Sequence, residues 1–290
     1  MPTVHVNGVE LYYEVTGDGF PLVFSHEFAG DYRSWEPQVN FFSRHYQVIT
    51  YNHRGYPPSE VPTDPEAYSQ DILVEDLHQL LRHLKISKAH IVGLSMGGNI
   101  TLHLGLRHPE MCTSLVVAGC GAGSTNRKQF EQDVRTVAER LQKEGMEAVA
   151  EIYTQGPTRV QFRRKDPRGW KKFWDQMAEH SALGSSLIFR GVQLRRPSIF
   201  VLEDKLKELQ VPTLLLIGDE DEPCIEPAIF IKRHIPHAGL VIFPQSGHAI
   251  NLEEPDLFNR IVLDFLTMVE VGKWAKRDPI SVPGVELLPR

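Results

Sequence analysis

The sequence predicts an α/β fold in which a mainly parallel β-sheet is covered by helices on both faces. The first observation is that short apolar runs, suited to buried strands, alternate with longer segments whose apolar residues recur at helical spacing. The second is that this rhythm stops near residue 122 and resumes at Pro212. Such an interruption predicts a helical insertion within an α/β domain.

The first elements are predicted from the N-terminal part of the chain. Asn7-Gly8 separates two runs rich in β-branched and aromatic residues, and this dipeptide is typical of a two-residue hairpin turn. The apolar run 21–25 predicts a strand buried on both faces, a helical stretch follows around 34–43, and 47–51 predicts the next strand. A Gly/Pro loop then leads to a helix whose apolar face is formed by Ile72, Leu73, Leu77, Leu80, Leu81 and Leu84.

A sharp turn from strand to helix is predicted at Ser95. The apolar run 89–92 suits a buried strand, and the residues after Gly98 are apolar at helical spacing. Gly93 and Gly97 flank the serine at positions where a side chain would collide with the neighbouring strand and the incoming helix. The pattern therefore predicts a nucleophile elbow, in which the serine hydroxyl lies at the tip of the strand and the helix N-terminus favours negative charge beside it.

The rest of the chain divides into a core, an insertion and a tail. Further strands are predicted at 113–118, 212–217 and 240–243, and an amphipathic helix at 256–270. The intervening residues after 121 are mostly polar and helical, which predicts a helical cap. The predicted units are a core of residues 1–121 and 208–271, the cap 122–207 and a proline-containing tail 272–290.

Composition and charge exclude several classes of protein. The 290-residue chain has 41% hydrophobic and 23% charged residues, which is typical of a globular protein. A net charge of −6 and a pI near 6.1 argue against nucleic-acid binding, which needs a basic face. We see no signal peptide and no stretch near the roughly 20 apolar residues of a membrane span. Three cysteines without metal-ligand spacing predict free thiols, so we expect a cytoplasmic protein without a membrane partner.

Candidate acids and a candidate base follow the later strands. A serine needs a base that takes its proton and an acid that orients that base. Asp219 and Asp221 follow the predicted strand 212–217, and His248 follows the predicted strand 240–243. Because parallel strands place their carboxyl ends at one edge of a sheet, these groups are expected near Ser95. On this reasoning either aspartate is a candidate for the acid.

The chain order of Ser95, an aspartate and His248 resembles the α/β-hydrolase superfamily. More narrowly, the sequence is similar to its capped single-chain branch, which includes esterases, enol-lactone hydrolases and meta-cleavage-product hydrolases. The resemblance runs from about residue 3 to residue 270. It implies a mostly parallel eight-stranded sheet, and it favours Asp221 as the acid because that residue is the third after Gly218.

The resemblance also implies an oxyanion hole formed by the backbone N–H groups of Met96 and Phe28, with His26 shaping the loop. His26 is also a candidate substrate-binding residue. One position departs from the family, which generally has glycine where this chain has Glu27. A carboxylate there would clash with an oxyanion, so we expect an ion pair with Arg54 or a similar partner that braces the loop. The alternative is that Glu27 binds a cationic or hydrogen-bond-donating substrate or positions water.

Basic and aromatic residues cluster in the predicted cap. Trp170 and Trp174 are the candidate substrate-binding residues of this cluster. A solvated helix whose aromatic side chains pack on the sheet explains the cluster without a function, and an apolar pocket with a cationic rim for a carboxylated substrate is the alternative. The basic residues are Arg159, Arg163, Arg164, Lys165, Arg168, Lys171 and Lys172.

Together these features predict a serine hydrolase that cleaves a small carboxylic ester or lactone through an acyl-enzyme intermediate. One alternative is a carbon–carbon bond hydrolase with the same triad. The other is a ligand-binding receptor with little turnover, which Glu27 keeps open. The expected partner is a small-molecule substrate, and a homodimer is left open. No metal cluster and no dinucleotide motif are found, so no cofactor is expected.

Overall fold

The computed structural model describes residues 2–281 and contains an eight-stranded sheet with the order β1-β2-β4-β3-β5-β6-β7-β8. Pairing is parallel from β4 to β8, while β1 and β2 are antiparallel. This arrangement confirms the predicted mostly parallel α/β sheet. The strands are β1 (Thr3–Val6), β2 (Val9–Thr16), β3 (Phe20–Ser25), β4 (Tyr46–Tyr51), β5 (Ala89–Leu94), β6 (Cys112–Ala118), β7 (Thr213–Gly218) and β8 (Ala238–Phe243).

Helices cover both faces of the sheet, because the central strands are apolar on both sides. Ile91 of β5 belongs to one hydrophobic cluster, and the next residue, Val92, belongs to a cluster on the opposite face. Alternate residues of a strand point to opposite faces, so each strand contributes to two cores. The helices are α1 (Glu36–Phe42), α2 (Gln70–His83), α3 (Met96–Arg107), α4 (Arg127–Tyr153), α5 (Val160–Lys165), α6 (Pro167–Ala178), α7 (Ala182–Ile188), α8 (Glu203–Glu208), α9 (Glu222–His234), α10 (Ile250–Glu253) and α11 (Pro255–Glu270).

The N-terminal hairpin turns at Asn7-Gly8. Both residues have positive φ angles, 49° and 72°, as a two-residue hairpin turn of type I′ requires. The Asn7 side-chain amide donates to Asp76 Oδ1 at 2.7 Å, and the backbone carbonyl of Asn7 accepts from Arg54 Nη2 at 3.0 Å. The hairpin is therefore fastened to α2 and to the loop after β4.

The chain between β6 and β7 is helical and without a strand in the described residues. It includes α4 to α8, and α4 is interrupted at Gly145, whose φ of 85° and ψ of 179° are not helical. A 3₁₀ turn at Pro157–Arg159 connects α4 to the following helices. This turn touches the core directly, because the Thr158 carbonyl accepts from the His248 amide at 2.9 Å. The insertion thus contacts the loop that carries the candidate base.

The first residues of the predicted tail pack on the body of the protein. Trp274 Nε1 donates to the His237 carbonyl at 2.7 Å, and its ring centroid lies 4.6 Å from that of Phe265. Residues 282–290 of the predicted tail lie outside the described residues. In the part of the chain that the structure describes, no helix combines the length and the apolar character needed to cross a membrane.

Candidate active site

Ser95 occupies a strained turn between β5 and α3. Its φ of 56° and ψ of −109° are values that residues other than glycine rarely adopt. The Ser95 amide donates to the Ala118 carbonyl at 2.8 Å, which ties the turn to β6. Helix α3 begins at the next residue, Met96. The half-buried serine therefore lies at the carboxyl edge of the sheet and at the positive end of a helix dipole.

The two flanking glycines are required by close backbone contacts. A Cβ atom on Gly97 would lie 2.0 Å from the Ser25 carbonyl oxygen of β3. A Cβ atom on Gly93 would lie 2.2 Å from the Gly97 carbonyl oxygen. Both distances are far shorter than a van der Waals contact, so neither position accepts a side chain without a shift of the backbone. The turn can be this tight because both residues are glycine.

Asp221 and His248 meet beyond the ends of β7 and β8. His248 Nδ1 donates to Asp221 Oδ2 at 2.7 Å, and both side chains are buried. Because Nδ1 carries the proton of the neutral ring, Nε2 is left as a proton acceptor. Both residues line a cavity of about 120 Å³ that Ser95 also lines. The structure therefore brings together three candidate residues that are widely separated in the sequence.

The electrostatics distinguish Asp221 from its neighbour Asp219. Burial alone would lower the pKa of His248, but the Asp221 carboxylate raises that pKa above its ordinary value. Asp219 Oδ1 instead accepts from the Ser246 amide at 3.0 Å. Asp221 thus stabilises the charged imidazole of His248. Asp219 instead holds the loop before His248 through the Ser246 amide.

A further carboxylate, Glu253, holds the histidine loop in place. Its oxygens accept from the Gly247 amide at 2.8 Å and from the Ala249 amide at 3.1 Å. These two amides flank His248, whose own amide donates to Thr158. Sequence reasoning missed Glu253, because an acidic residue just before a predicted helix is ordinary on a protein surface, whereas this one ends α10 and is buried.

The two backbone amides expected to bind an oxyanion are those of Met96 and Phe28. Met96 follows Ser95 directly, and Phe28 lines the same cavity as Ser95. Within residues 2–281 neither backbone N–H has a hydrogen-bond acceptor. Both N–H groups are therefore free to donate to a ligand.

His26 supports the loop that carries Phe28. Its Nδ1 donates to the Glu27 carbonyl at 2.7 Å, and its Nε2 accepts from the His53 amide at 3.2 Å. Burial lowers the pKa of His26 to about 4, so the ring is neutral near pH 7. His26 contacts the backbone of the loop and does not line the cavity, so a direct contact with substrate is not supported.

Glu27 pairs with Arg159, which corrects the expected pairing with Arg54. Arg159 Nη1 donates to Glu27 Oε1 at 2.9 Å, Nη2 donates to Oε2, and each side chain is only 2% exposed. Arg54 instead forms two hydrogen bonds with Asp76, at 2.7 and 2.6 Å. The two members of the Glu27 pair are 132 positions apart, so no local pattern could have joined them.

The ion pair turns the Glu27 carboxylate towards the insertion. Burial alone would raise the pKa of Glu27, but the Arg159 guanidinium lowers it below the ordinary value. The carboxylate is therefore ionised and neutralised by the insertion. The pair also fastens the oxyanion loop to the 3₁₀ turn at Pro157–Arg159.

Comparison with known proteins identifies the family. The model of a family described as the alpha/beta hydrolase fold matches residues 21–255. The chain belongs to the α/β hydrolase family. It is 27% identical over 264 residues to 3-oxoadipate enol-lactonase 2 of Acinetobacter baylyi, which covers 90% of this chain and 94% of that protein.

Solved structures of α/β hydrolases are similar along most of the chain. The enol-lactonase of Burkholderia xenovorans has a TM-score of 0.80 at 27% identity, over 92% of this chain and 100% of that one. A thermophilic esterase of Thermogutta terrifontis has a TM-score of 0.79 at 27% identity, over 92% and 97% of the two chains. These relatives are named as enol-lactonases and an esterase, which are kinds of hydrolase, so the comparisons support the conclusion that this protein is a hydrolase.

The two candidate tryptophans of this α/β hydrolase do not line the cavity that holds Ser95. Trp170 Nε1 donates to the Thr154 carbonyl at 2.8 Å, and the ring packs on the core cluster. Trp174 packs on the same cluster, and Lys171 Nζ lies 4.3 Å from its ring centroid. Both rings pack on the hydrophobic cluster, as the first of the two interpretations predicts, and substrate binding by these tryptophans stays a prediction without support from the cavity lining.

Other residues of the insertion line the cavity of this α/β hydrolase, and sequence reasoning missed them. Tyr153 ends α4, while Gln193 and Arg196 lie between α7 and α8. The aromatic walls are formed by Phe28, Phe130 and Phe189. Apart from Phe28, which lies in the oxyanion loop, none of these residues belongs to a recognisable motif, because their positions depend on how the insertion packs over the sheet.

Glu27→Gln in this α/β hydrolase is expected to lower the free energy of unfolding by about 3–5 kcal/mol, because it leaves the Arg159 charge buried without a carboxylate. The double variant Glu27→Gln/Arg159→Met removes that orphaned charge and is expected to be less destabilised than Glu27→Gln alone. Urea unfolding of the wild type, both single variants and the double variant gives the coupling energy. Strictly additive effects would contradict a stabilising ion pair.

The same ion pair is expected to make stability depend on acidic pH. Folding lowers the pKa of Glu27 below 4.5, so the contribution is fully present above that pH and is lost as the pH falls through the folded-state pKa. The stability difference between the wild type and Glu27→Gln should therefore be constant near neutral pH and smaller at about pH 3. A difference that stayed unchanged in acid would contradict this assignment.

Proposed function

We propose that this protein is a serine hydrolase that cleaves a small carboxylic ester or lactone through an acyl-enzyme intermediate. The observation that carries the proposal is the cavity shared by Ser95 and His248, in which the His248 ring is bonded through Nδ1 to Asp221. Ser95 Oγ attacks the carbonyl carbon of the substrate while His248 Nε2 takes the hydroxyl proton. Asp221 fixes the tautomer and stabilises the imidazolium that forms.

The tetrahedral intermediate places negative charge on the former carbonyl oxygen. The amides of Met96 and Phe28 are the donors available to bind that oxygen, and the N-terminus of α3 adds a favourable dipole. The C–O bond then breaks, and His248 returns its proton to the leaving alcohol oxygen. Water attacks the acyl-enzyme with His248 as the base again, which releases the acid and restores Ser95.

The size and lining of the cavity favour a short acyl group. The volume is about 120 Å³, and the rings of Phe28, Phe130 and Phe189 form apolar walls. A small ester or lactone suits such a space better than a long acyl chain.

The alternative, a ligand-binding receptor with little turnover, was based on the acidic side chain in the oxyanion loop, because a free carboxylate there would oppose the negative charge of an oxyanion. That side chain, Glu27, is bonded to Arg159 and buried. A neutralised carboxylate does not oppose the negative charge of an oxyanion as a free one would. The pairing therefore supports turnover over simple ligand binding.

Stopped-flow hydrolysis of p-nitrophenyl acetate, butanoate and hexanoate by the purified protein tests the proposal. We expect a burst of one p-nitrophenolate per chain followed by steady turnover, with the shorter esters preferred. Labelling of the protein by a fluorophosphonate without any ester turnover would favour the carbon–carbon bond hydrolase, which a vinylogous diketone substrate would then detect. Absence of both turnover and labelling would overturn the proposal.

A further inference from the structure

We propose that Arg196 binds a carboxylate carried by the substrate, within the cavity that contains Ser95 and His248. The inference rests on the proposed function and narrows its substrate class to esters or lactones that bear a second, free carboxylate. Arg196 lies between α7 and α8 and is one of two arginines that line the cavity. The other is Arg159, which Glu27 neutralises.

Arg196 is buried and incompletely bonded. Arg196 is only 6% exposed, and its guanidinium donates through Nη2 to the Ala122 carbonyl at 2.8 Å. Nη1 is buried and has no hydrogen-bond partner among residues 2–281. In the same part of the chain no carboxylate lies within 4.0 Å of the guanidinium, so this charge has no ionic partner.

The groups around Arg196 do not neutralise it. Two buried thiols, Cys120 and Cys224, are near enough to influence the guanidinium, but burial raises the pKa of Cys120 to about 12 and that of Cys224 well above its ordinary value. Both thiols are therefore uncharged near pH 7. The aromatic ring of Phe130 lies 5.4 Å from Arg196 Cζ and offers only a cation–π contact.

A buried guanidinium without a counter-ion is costly, and burial lowers the pKa of Arg196 accordingly. Arginine nevertheless stays protonated at neutral pH. A carboxylate that enters the cavity would supply the missing charge and accept a hydrogen bond from Nη1 in the geometry that guanidinium favours. An anionic ligand would relieve the free-energy cost of the buried, unpaired charge, whereas a neutral ligand would not. The site is therefore expected to select anionic ligands.

The position of Arg196 fits a group remote from the reacting carbonyl. The Asp221 carboxylate is bonded to His248 and the Glu27 carboxylate to Arg159, so each of these anions has its own partner. A substrate whose ester carbonyl is at Ser95 could direct a second carboxylate, a few carbons away, towards Arg196. Half-esters of short dicarboxylic acids and carboxylated lactones have this chemistry.

Kinetics with matched esters tests the inference. p-Nitrophenyl hydrogen glutarate carries a free carboxylate, and p-nitrophenyl methyl glutarate is the same molecule with that group masked. We expect the wild type to prefer the anionic ester in kcat/KM by about 10- to 100-fold, the size of a buried hydrogen bond to a charged group. Arg196→Met is expected to abolish this preference, measured as the ratio of kcat/KM for the anionic ester to kcat/KM for the masked ester.

Arg195→Met is the matched control. Arg195 is the adjacent residue, is exposed, pairs with Glu66 and does not line the cavity. Its removal is expected to leave the preference unchanged. An equal loss of preference in Arg195→Met and Arg196→Met would indicate general surface charge and would overturn the assignment to Arg196.

A binding measurement keeps the test independent of turnover. Calorimetry with the Ser95→Ala protein is expected to show tighter binding of monomethyl glutarate than of dimethyl glutarate, with the difference lost in Ser95→Ala/Arg196→Met. Arg196→Met is also expected to retain or raise the melting temperature, because it removes a desolvated charge. Failure of every ester in the wild type would count against the proposed function, whereas equal binding of the two glutarates would overturn the role of Arg196 alone.

Discussion

Ser95→Ala is expected to lower kcat for ester hydrolysis by about 10⁶-fold, the loss seen when the nucleophile of such a triad is removed. The reason is geometric, because Ser95 is placed by a φ of 56° at the strand tip and lines the cavity with His248. An alanine at position 95 has no hydroxyl group that could form the proposed acyl-enzyme. Initial rates with p-nitrophenyl butanoate and the disappearance of the burst check the result.

Ser87→Ala is the control for the Ser95 variant. Ser87 is exposed and lies just before β5, at the end of that strand opposite to Ser95. It is expected to keep the wild-type rate and the wild-type burst. Ser95→Ala is expected to retain its fold, because alanine has the same Cβ position as serine in the strained turn. Residual turnover within about tenfold of the wild type would mean that Ser95 is not the nucleophile.

The fold could be predicted from the sequence because its signals are local. The β5 run is buried along its whole length, and its apolar residues are contiguous in the sequence. The elbow needs glycine at positions 93 and 97 for contacts made within a few residues and with one neighbouring strand. Both kinds of signal are present in a short window of residues, so no knowledge of the rest of the chain was needed.

The partners of buried charges could not be predicted in this way. Arg54 was the expected partner of Glu27, yet it is bonded to Asp76 on α2, and Glu27 is bonded to an arginine 132 positions away. Which buried cation meets which anion depends on how the insertion packs on the core. The same holds for Trp170, whose indole N–H is bonded to the Thr154 carbonyl within the insertion.

The insertion therefore determines much of the candidate site, although its sequence carries the weakest signals. It contributes the Thr158 carbonyl to the histidine loop, the Arg159 charge to Glu27 and the Arg196 charge to the cavity. The first two are contacts that stabilise the arrangement, and Arg196 lines the cavity. We expect a core that has the same three residues, Ser95, Asp221 and His248, and a different insertion to keep the proposed chemistry and change the substrate.

Asp221→Asn is expected to lower kcat by about 10⁴-fold. The Asp221 carboxylate accepts the Nδ1 proton of His248 at 2.7 Å, whereas an asparagine can turn its NH₂ group to that nitrogen and select the wrong tautomer. Nε2 would then carry the proton and could no longer accept one from Ser95. Steady-state kinetics with p-nitrophenyl butanoate measures the loss.

Asp219→Asn is the matched control, because it is the same substitution two residues earlier. Asp219 Oδ1 accepts from the Ser246 amide, and an asparagine carbonyl oxygen can accept the same hydrogen bond, so kcat is expected to stay near the wild-type value. The pH dependence adds a second criterion. The base must be neutral to act, and since Asp221 raises the pKa of His248, the acidic limb of kcat/KM should move to lower pH in Asp221→Asn and stay in place in Asp219→Asn. A shift of that limb in Asp219→Asn alone would assign the acid to Asp219.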